Sequence, residues 1–236
     1  MKPSREEFHA LAREHSVVPV WRELLADYIT PVAAFDRLVG GEDSGFLLES
    51  VEHGERWSRW SFVGRRPLAT LTSSGSAVTT SGDLPPDVPT DQGILAALEH
   101  LLAVYLSPRL DELPPLHGGV MGYLGYDVVR EVEHLPDVPT DDSHLPDAAL
   151  GVIGQLAAFD HFRQRVTLIE NVVVAEGATT EDLDRAYDAA VERLDDLARD
   201  GARPIDEPLV EPPRPDEPLP DVTSSMGRPG SARLSR

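Results

Sequence analysis

The sequence predicts an α+β fold, antiparallel sheets with flanking helices over residues 1–203, followed by a disordered proline-rich acidic linker and tail over 204–236. Three observations carry that prediction. Between Gly45 and Thr72, short apolar runs alternate with polar or glycine-containing turns, the pattern of strands. Around residues 94–105 and 180–199, apolar residues recur at helical spacing. After Gly201 the composition changes abruptly to proline and acid. With 236 residues and 41% hydrophobic content, the chain is long and apolar enough to bury a real core.

Ser4 and Glu7 have capping-box spacing ahead of Phe8 and Leu11, so a first helix is expected from Arg5 to near His15. The run VVPVWREL suits an edge strand, because its proline cannot donate to a ladder. Thr30 to Leu38, before the turn signal Gly40-Gly41, reads as a further extended segment opening the sheet. Strands follow at Phe46–Val51, Trp57–Val63 and Leu68–Thr72, with a hairpin tip at Ser73–Ser76.

Ile94, Leu95, Leu98, Leu101, Leu102 and Tyr105 are expected to form one buried helix face. Ala149–Phe159 and Arg165–Val174 read as an antiparallel pair joined by the polar tip Asp160–Gln164. A last helix runs from Thr180 to Arg199, apolar at Leu183, Ala186, Ala190, Val191, Leu194 and Leu197, with Gly201 as its stop. The repeated segment PDVPTD, at Pro86–Asp91 and Pro136–Asp141, marks two acidic loops in which proline blocks helix and ladder alike. From Pro204 to Asp221, seven prolines and six acids leave too little apolar surface to offset ordering entropy. Arg228, Arg233 and Arg236 then stand in a tail of opposite character.

Charge and composition exclude several function classes. A net charge of -20 repels phosphate backbones and anionic lipid headgroups, so neither nucleic acid nor membrane is an expected partner. The absence of cysteine removes disulfides, thiolate metal sites and a thiol nucleophile together. No signal-peptide core and no membrane-length apolar stretch is present, which implies a cytoplasmic location. The histidines form no HExxH pattern and the serines no GxSxG elbow, so no metal site and no catalytic residue is nominated. The glycines of GGVMGYLGYDVVR, Gly118–Arg130, lack the order of a phosphate-binding loop and read as close backbone packing beside Tyr123 and Tyr126.

Two runs remain, FLLESV at Phe46–Val51 and RWSFVG at Arg59–Gly64. Strand alternation places Phe46, Leu48 and Ser50 on one face and Leu47, Glu49 and Val51 on the other. From pattern alone Ser50 is a strand-end hydroxyl bonded to nearby backbone. Trp57 and Trp60 read as core residues and Arg59 as a surface arginine.

Together with GGVMGYLGYDVVR, these runs make the stretch from about Val18 to about Met226 resemble the amino-terminal half of anthranilate synthase component I. The resemblance implies a regulatory domain in which Ser50, Glu49, Leu48 and Arg59 form part of a feedback site for L-tryptophan. Glu49 would accept from the ligand ammonium, Ser50 would bond either polar end, Leu48 would wall the indole, and Arg59 would steady the carboxylate or pair with Glu49. It also implies a glutamine amidotransferase partner and a parent lyase reaction, chorismate plus glutamine to anthranilate, pyruvate and glutamate.

The family's chorismate-binding domain, with its magnesium carboxylates, has no counterpart in this sequence, so the chain alone is expected to be truncated, without cofactor and without catalysis. Related readings are the amino-terminal part of aminodeoxychorismate synthase component I, a free-standing amino-acid-binding module, and a non-functional fragment. The run SFVG after Arg59-Trp60 favours anthranilate synthase.

Overall fold

The Ser4 hydroxyl accepts from the Glu7 amide and the Glu7 carboxylate accepts from the Ser4 amide, which starts helix α1, Arg5–Leu11. The computed structural model describes residues 1–42, 44–49, 59–136, 138, 140–141 and 144–204. Strand β1, Val17–Leu25, follows. The next element corrects the extended reading of Thr30–Leu38, because it is helix α2, Pro31–Val39. Thr30 accepts from the Ala33 amide at 3.2 Å and Pro31 sits where its missing N–H costs nothing. Ala34 and Leu38, four residues apart, then turn inward together.

Strands β2, Gly45–Leu48, and β3, Trp60–Arg65, pair antiparallel, with Leu48 opposite Phe62 and Gly45 opposite Arg65. Strands β4, Ala69–Ser74, and β5, Ala77–Gly82, form the hairpin whose tip the serines mark. Helix α3, Ile94–Val104, buries Ile94, Ala97 and Leu101. Leu102, expected on that face, is 58% exposed, because one residue beyond Leu101 the side chain has rotated out of the stripe.

Strand β6, Val120–Leu124, and a 3-10 turn at Tyr126–Glu131 follow. The glycine-rich run is thus an edge strand followed by a short 3-10 helix that opens after Gly125. Glu131 at the end of that turn caps α3: its two oxygens accept from the Ile94 and Leu95 amides at 2.8 and 2.9 Å. Gly93, at φ +88°, lies so close that any Cβ there would meet the Glu131 carboxylate. Replacing Glu131 with alanine leaves these amides without their carboxylate partner, and a loss of about 1–2 kcal/mol is expected in urea unfolding. An unchanged midpoint would mean that water caps the helix as well.

The expected single strand Ala149–Phe159 is instead two strands in different sheets, β7, Ala148–Val152, and β8, Gln155–Asp160. The break falls at Gly154, where a Cβ would lie 2.2 Å from the Arg66 carbonyl oxygen, so the chain can cross there only without a side chain. Strand β9, Arg165–Val173, returns antiparallel to β8, as the polar tip at Asp160–Gln164 predicts. Helix α4, Thr180–Gly201, starts on a Thr179–Asp182 capping box.

One sheet has the order β1-β9-β8-β3-β2 and the other β5-β4-β7-β6, all antiparallel. The five-stranded sheet is covered on one face by α1, α2 and α4, through Phe8, Val63, Phe159, Leu194 and Leu197. Each such side chain contributes on the order of 1.5–3 kcal/mol of burial. Its other face packs Trp21, Phe62, Leu156 and Ile169 against Leu113 and Met121. The four-stranded sheet packs Leu71, Leu150 and Val152 on Ile94 and Leu101 of α3. Met1–Pro204 is one compact unit, and the segment from Ile205 to Arg236, with its expected linker and tail, lies outside the described residues.

A polar row crosses the helix side of the larger sheet. Arg65, Gln155 and Glu170 stand directly opposite one another on β3, β8 and β9, and each is at most 4% exposed. Arg65 donates to Gln155 Oε1 at 2.8 Å and to the Leu38 carbonyl at 3.3 Å, and pairs with Asp200 of α4 at 2.7 Å. Glu170 accepts from Arg193 Nε of the same helix at 2.6 Å.

Burial raises the Glu170 carboxyl above its ordinary range, although Arg193 opposes the shift. A raised pKa means that the folded chain holds a proton the unfolded chain has lost. Glu170 therefore contributes stability below the ordinary carboxyl value that is lost as pH rises through the folded value. In urea unfolding between about pH 4 and about pH 7, stability relative to Glu170→Gln is expected to fall with rising pH. Parallel curves for the two proteins would contradict this.

Candidate functional site

The strand pair β2–β3 ends in a small exposed face. Alternation sends Leu47 and Val63 to the helix side and leaves Phe46, Trp60 and Phe62 on the other. Leu48, opposite Phe62, is 39% exposed, so the apolar face opens to solvent at this edge. Trp60 lies nearly parallel to Phe62, with ring centroids 6.3 Å apart and planes 14° from each other. Trp60 is half-buried, packed against the cluster under this face, as the core reading expects. Trp57 lies outside the described residues.

Arg59 precedes β3 and lays its guanidinium over the Trp60 ring, 4.9 Å from the centroid. Its partner is Asp160, not Glu49. Nε donates to Asp160 Oδ1 at 3.0 Å and an Nη donates to Oδ2 at 2.6 Å, a two-pronged fork. Asp160 stands opposite Trp60 in the ladder and is only 6% exposed in its side chain, whereas that of Arg59 is 45% exposed. The same carboxylate accepts from the Phe162 and Arg163 amides and so closes the β8–β9 turn. The Arg59 hydrogen bond, helped by those amides, holds the Asp160 carboxyl below its ordinary range despite its burial.

The arrangement sets Leu48 opposite Phe62 and Arg59 over Trp60, which stacks on Phe62, and it places Glu49 exposed at the end of β2. Ser50, the residue on which the sequence argument turns, lies outside the described residues. Asp160 was legible only as the first residue of a polar hairpin tip. Its partner is 101 residues away, and only the β3–β8 register reveals the pairing.

Chemically, the face offers an apolar step, a flat aromatic ring and a cation with an Nη that has no hydrogen-bond partner among the described residues, which suits a ligand with an apolar body and a carboxylate. A cavity of about 380 Å³ lies at the other end of β2–β3, lined by Gly45, Phe46, Gly64, Thr70, Thr72 and Met121 among others. It reaches Phe46 but not Leu48, Glu49 or Arg59, so the candidate site is an open surface beside it. Among the described residues no group of three or more His, Asp or Glu is placed to hold a metal, and no helix is long and apolar enough to cross a membrane.

No protein-family model matches the chain. Among curated proteins it is 43% identical over 202 residues to anthranilate synthase component 1 of Mycolicibacterium smegmatis, covering 86% of this chain and 38% of that protein. It is 43% identical over 217 residues to the protein of that name from Mycobacterium tuberculosis, covering 90% of this chain and 42% of the relative. The Acetivibrio thermocellus protein of the same name is 31% identical over 200 residues. A crystal structure of anthranilate synthase component I from Streptococcus pneumoniae aligns with TM-score 0.49 and 21% identity, over 78% of this chain and 37% of that one.

The fold is an α+β domain with two antiparallel sheets, and the β2–β3 pair stands at one edge of the larger of them. Over 86–90% of its length the chain is thus homologous to proteins named anthranilate synthase component 1 and corresponds to their amino-terminal region, spanning about two fifths of the length of the relatives it matches.

Proposed function

We propose that this region senses L-tryptophan for an anthranilate synthase. The face of Leu48, Glu49 and Arg59, with Ser50 next along the chain, forms one side of the site. The observation that carries the reading is the half-exposed Arg59 guanidinium fixed over Trp60, which stacks on Phe62 opposite the open Leu48, within the two runs that give the chain its family resemblance. The indole would rest on Leu48 and the aromatic step, the carboxylate on Arg59, and the ammonium on Glu49.

The parent reaction, its magnesium and its chorismate site belong in this proposal to the part of the family's length that the chain does not span. The glutamine amidotransferase would be a partner of the assembled enzyme. The net charge of -20 fits a cytoplasmic protein that works without nucleic acid or anionic membrane.

With one side of the site supplied, binding by residues 1–236 alone is expected to be weak, in the range of about a millimolar, since ~4 kcal/mol of net interaction gives no more. NMR titration with L-tryptophan is expected to shift the Arg59 Nε–H and Trp60 indole signals in a saturable way. No shift at either group, at concentrations well above a millimolar, would overturn the reading.

A further inference from the structure

We infer that Asp160 is a positioning residue of this ligand face, one that aims Arg59 at a carboxylate and so selects amino acids over amines. The inference rests on the proposed tryptophan site and adds to it a residue from a different strand. An arginine ahead of a strand has many rotamers, and one that is 45% exposed gains little from burial that would choose among them. Here the choice is made by the Asp160 fork, which takes Nε and one Nη, and by the Trp60 ring under the guanidinium plane. The remaining Nη edge has no other hydrogen-bond partner among the described residues. It is the edge that matches a carboxylate in a two-pronged contact.

Asp160 is itself immobile. Its side chain is 6% exposed, it stands at a fixed ladder position opposite Trp60, and it accepts from the Phe162 and Arg163 amides at 3.1 and 3.2 Å. A buried acceptor tied to the backbone on one side and to a guanidinium on the other transmits the rigidity of the sheet to a surface cation. Arg163 Nε lies 4.0 Å from the same carboxylate, so this face keeps one positive charge in excess, and the Asp160 fork fixes the direction in which Arg59 presents its N–H groups.

The test compares L-tryptophan with tryptamine, which keeps the indole and ammonium but lacks the carboxylate, on the wild-type chain and on Asp160→Asn. Asparagine can still accept from the turn amides through its oxygen, but its NH2 cannot accept from the guanidinium. The expected result is a loss of roughly tenfold in tryptophan affinity, with tryptamine affinity unchanged. The Arg59 Nε–H signal should also exchange faster with solvent in the variant even without ligand.

Equal tryptophan affinity in the two proteins would overturn the role of Asp160 and leave the site standing. Equal losses for tryptophan and tryptamine would overturn it too, since they would mean that Asp160 only holds the fold. Failure of the wild-type chain to bind tryptophan at all would remove the site itself, and this inference with it.

Discussion

Replacing Arg65 with alanine is expected to cost about 3 kcal/mol or more of folding stability, a large share of what a single domain has. Its side chain is 3% exposed and holds Asp200, itself 12% exposed, at 2.7 Å. It also donates to Gln155 Oε1 and to the carbonyl of Leu38 at the end of α2. Removing the guanidinium strands a carboxylate where solvent cannot reach it well, and that penalty, more than any lost attraction, dominates the expected effect. Arg203 also bonds Asp200, but its side chain is 65% exposed and its pairing is screened by water.

Deleting both charges, in Arg65→Met with Asp200→Asn, should therefore cost less than Arg65→Ala alone. Urea unfolding of the three proteins decides the matter. A loss below about 1 kcal/mol for Arg65→Ala would show that Arg203 and solvent carry Asp200 unaided.

Sheets, helices and their order were largely legible because local chemistry fixes them. The Ser4 capping box, the serine-tipped hairpin and the periodic apolar stripe of α4 each act within a few residues of chain. The two misreadings have different causes. Thr30–Leu38 looks extended from its composition, yet a proline at the first helical position and a threonine cap outweigh that preference. Ala149–Phe159 looks like one strand because nothing local announces that Gly154 passes against the Arg66 carbonyl.

The candidate site divides in the same way. Leu48 and its face follow from alternation. The partner of Arg59 does not, since Asp160 reaches it only through the pairing of β3 with β8.

The largest functional effect is expected on completing the site. When residues 1–236 replace the corresponding region of the Mycolicibacterium smegmatis relative, tryptophan should bind about a thousandfold more tightly than to the chain alone, because closing contacts worth ~4 kcal/mol are restored. The indole then loses the face it kept in water, and Arg59, already fixed by Asp160, loses no further freedom on binding. Such a protein should form anthranilate from chorismate and be inhibited by tryptophan, whereas residues 1–236 alone should show no turnover above the uncatalysed rate.

On the proposed reading of Ser50 as part of the tryptophan site, Ser50→Phe should relieve inhibition while leaving turnover largely intact. The concentration of tryptophan for half inhibition, measured with Ser50 and with Ser50→Phe in the completed protein, tests the central claim most directly. A rise of at least about a hundredfold is expected on substitution, equivalent to losing ~2.7 kcal/mol of binding. A half-inhibition concentration that does not change would contradict it, and would leave Ser50 a strand-end serine.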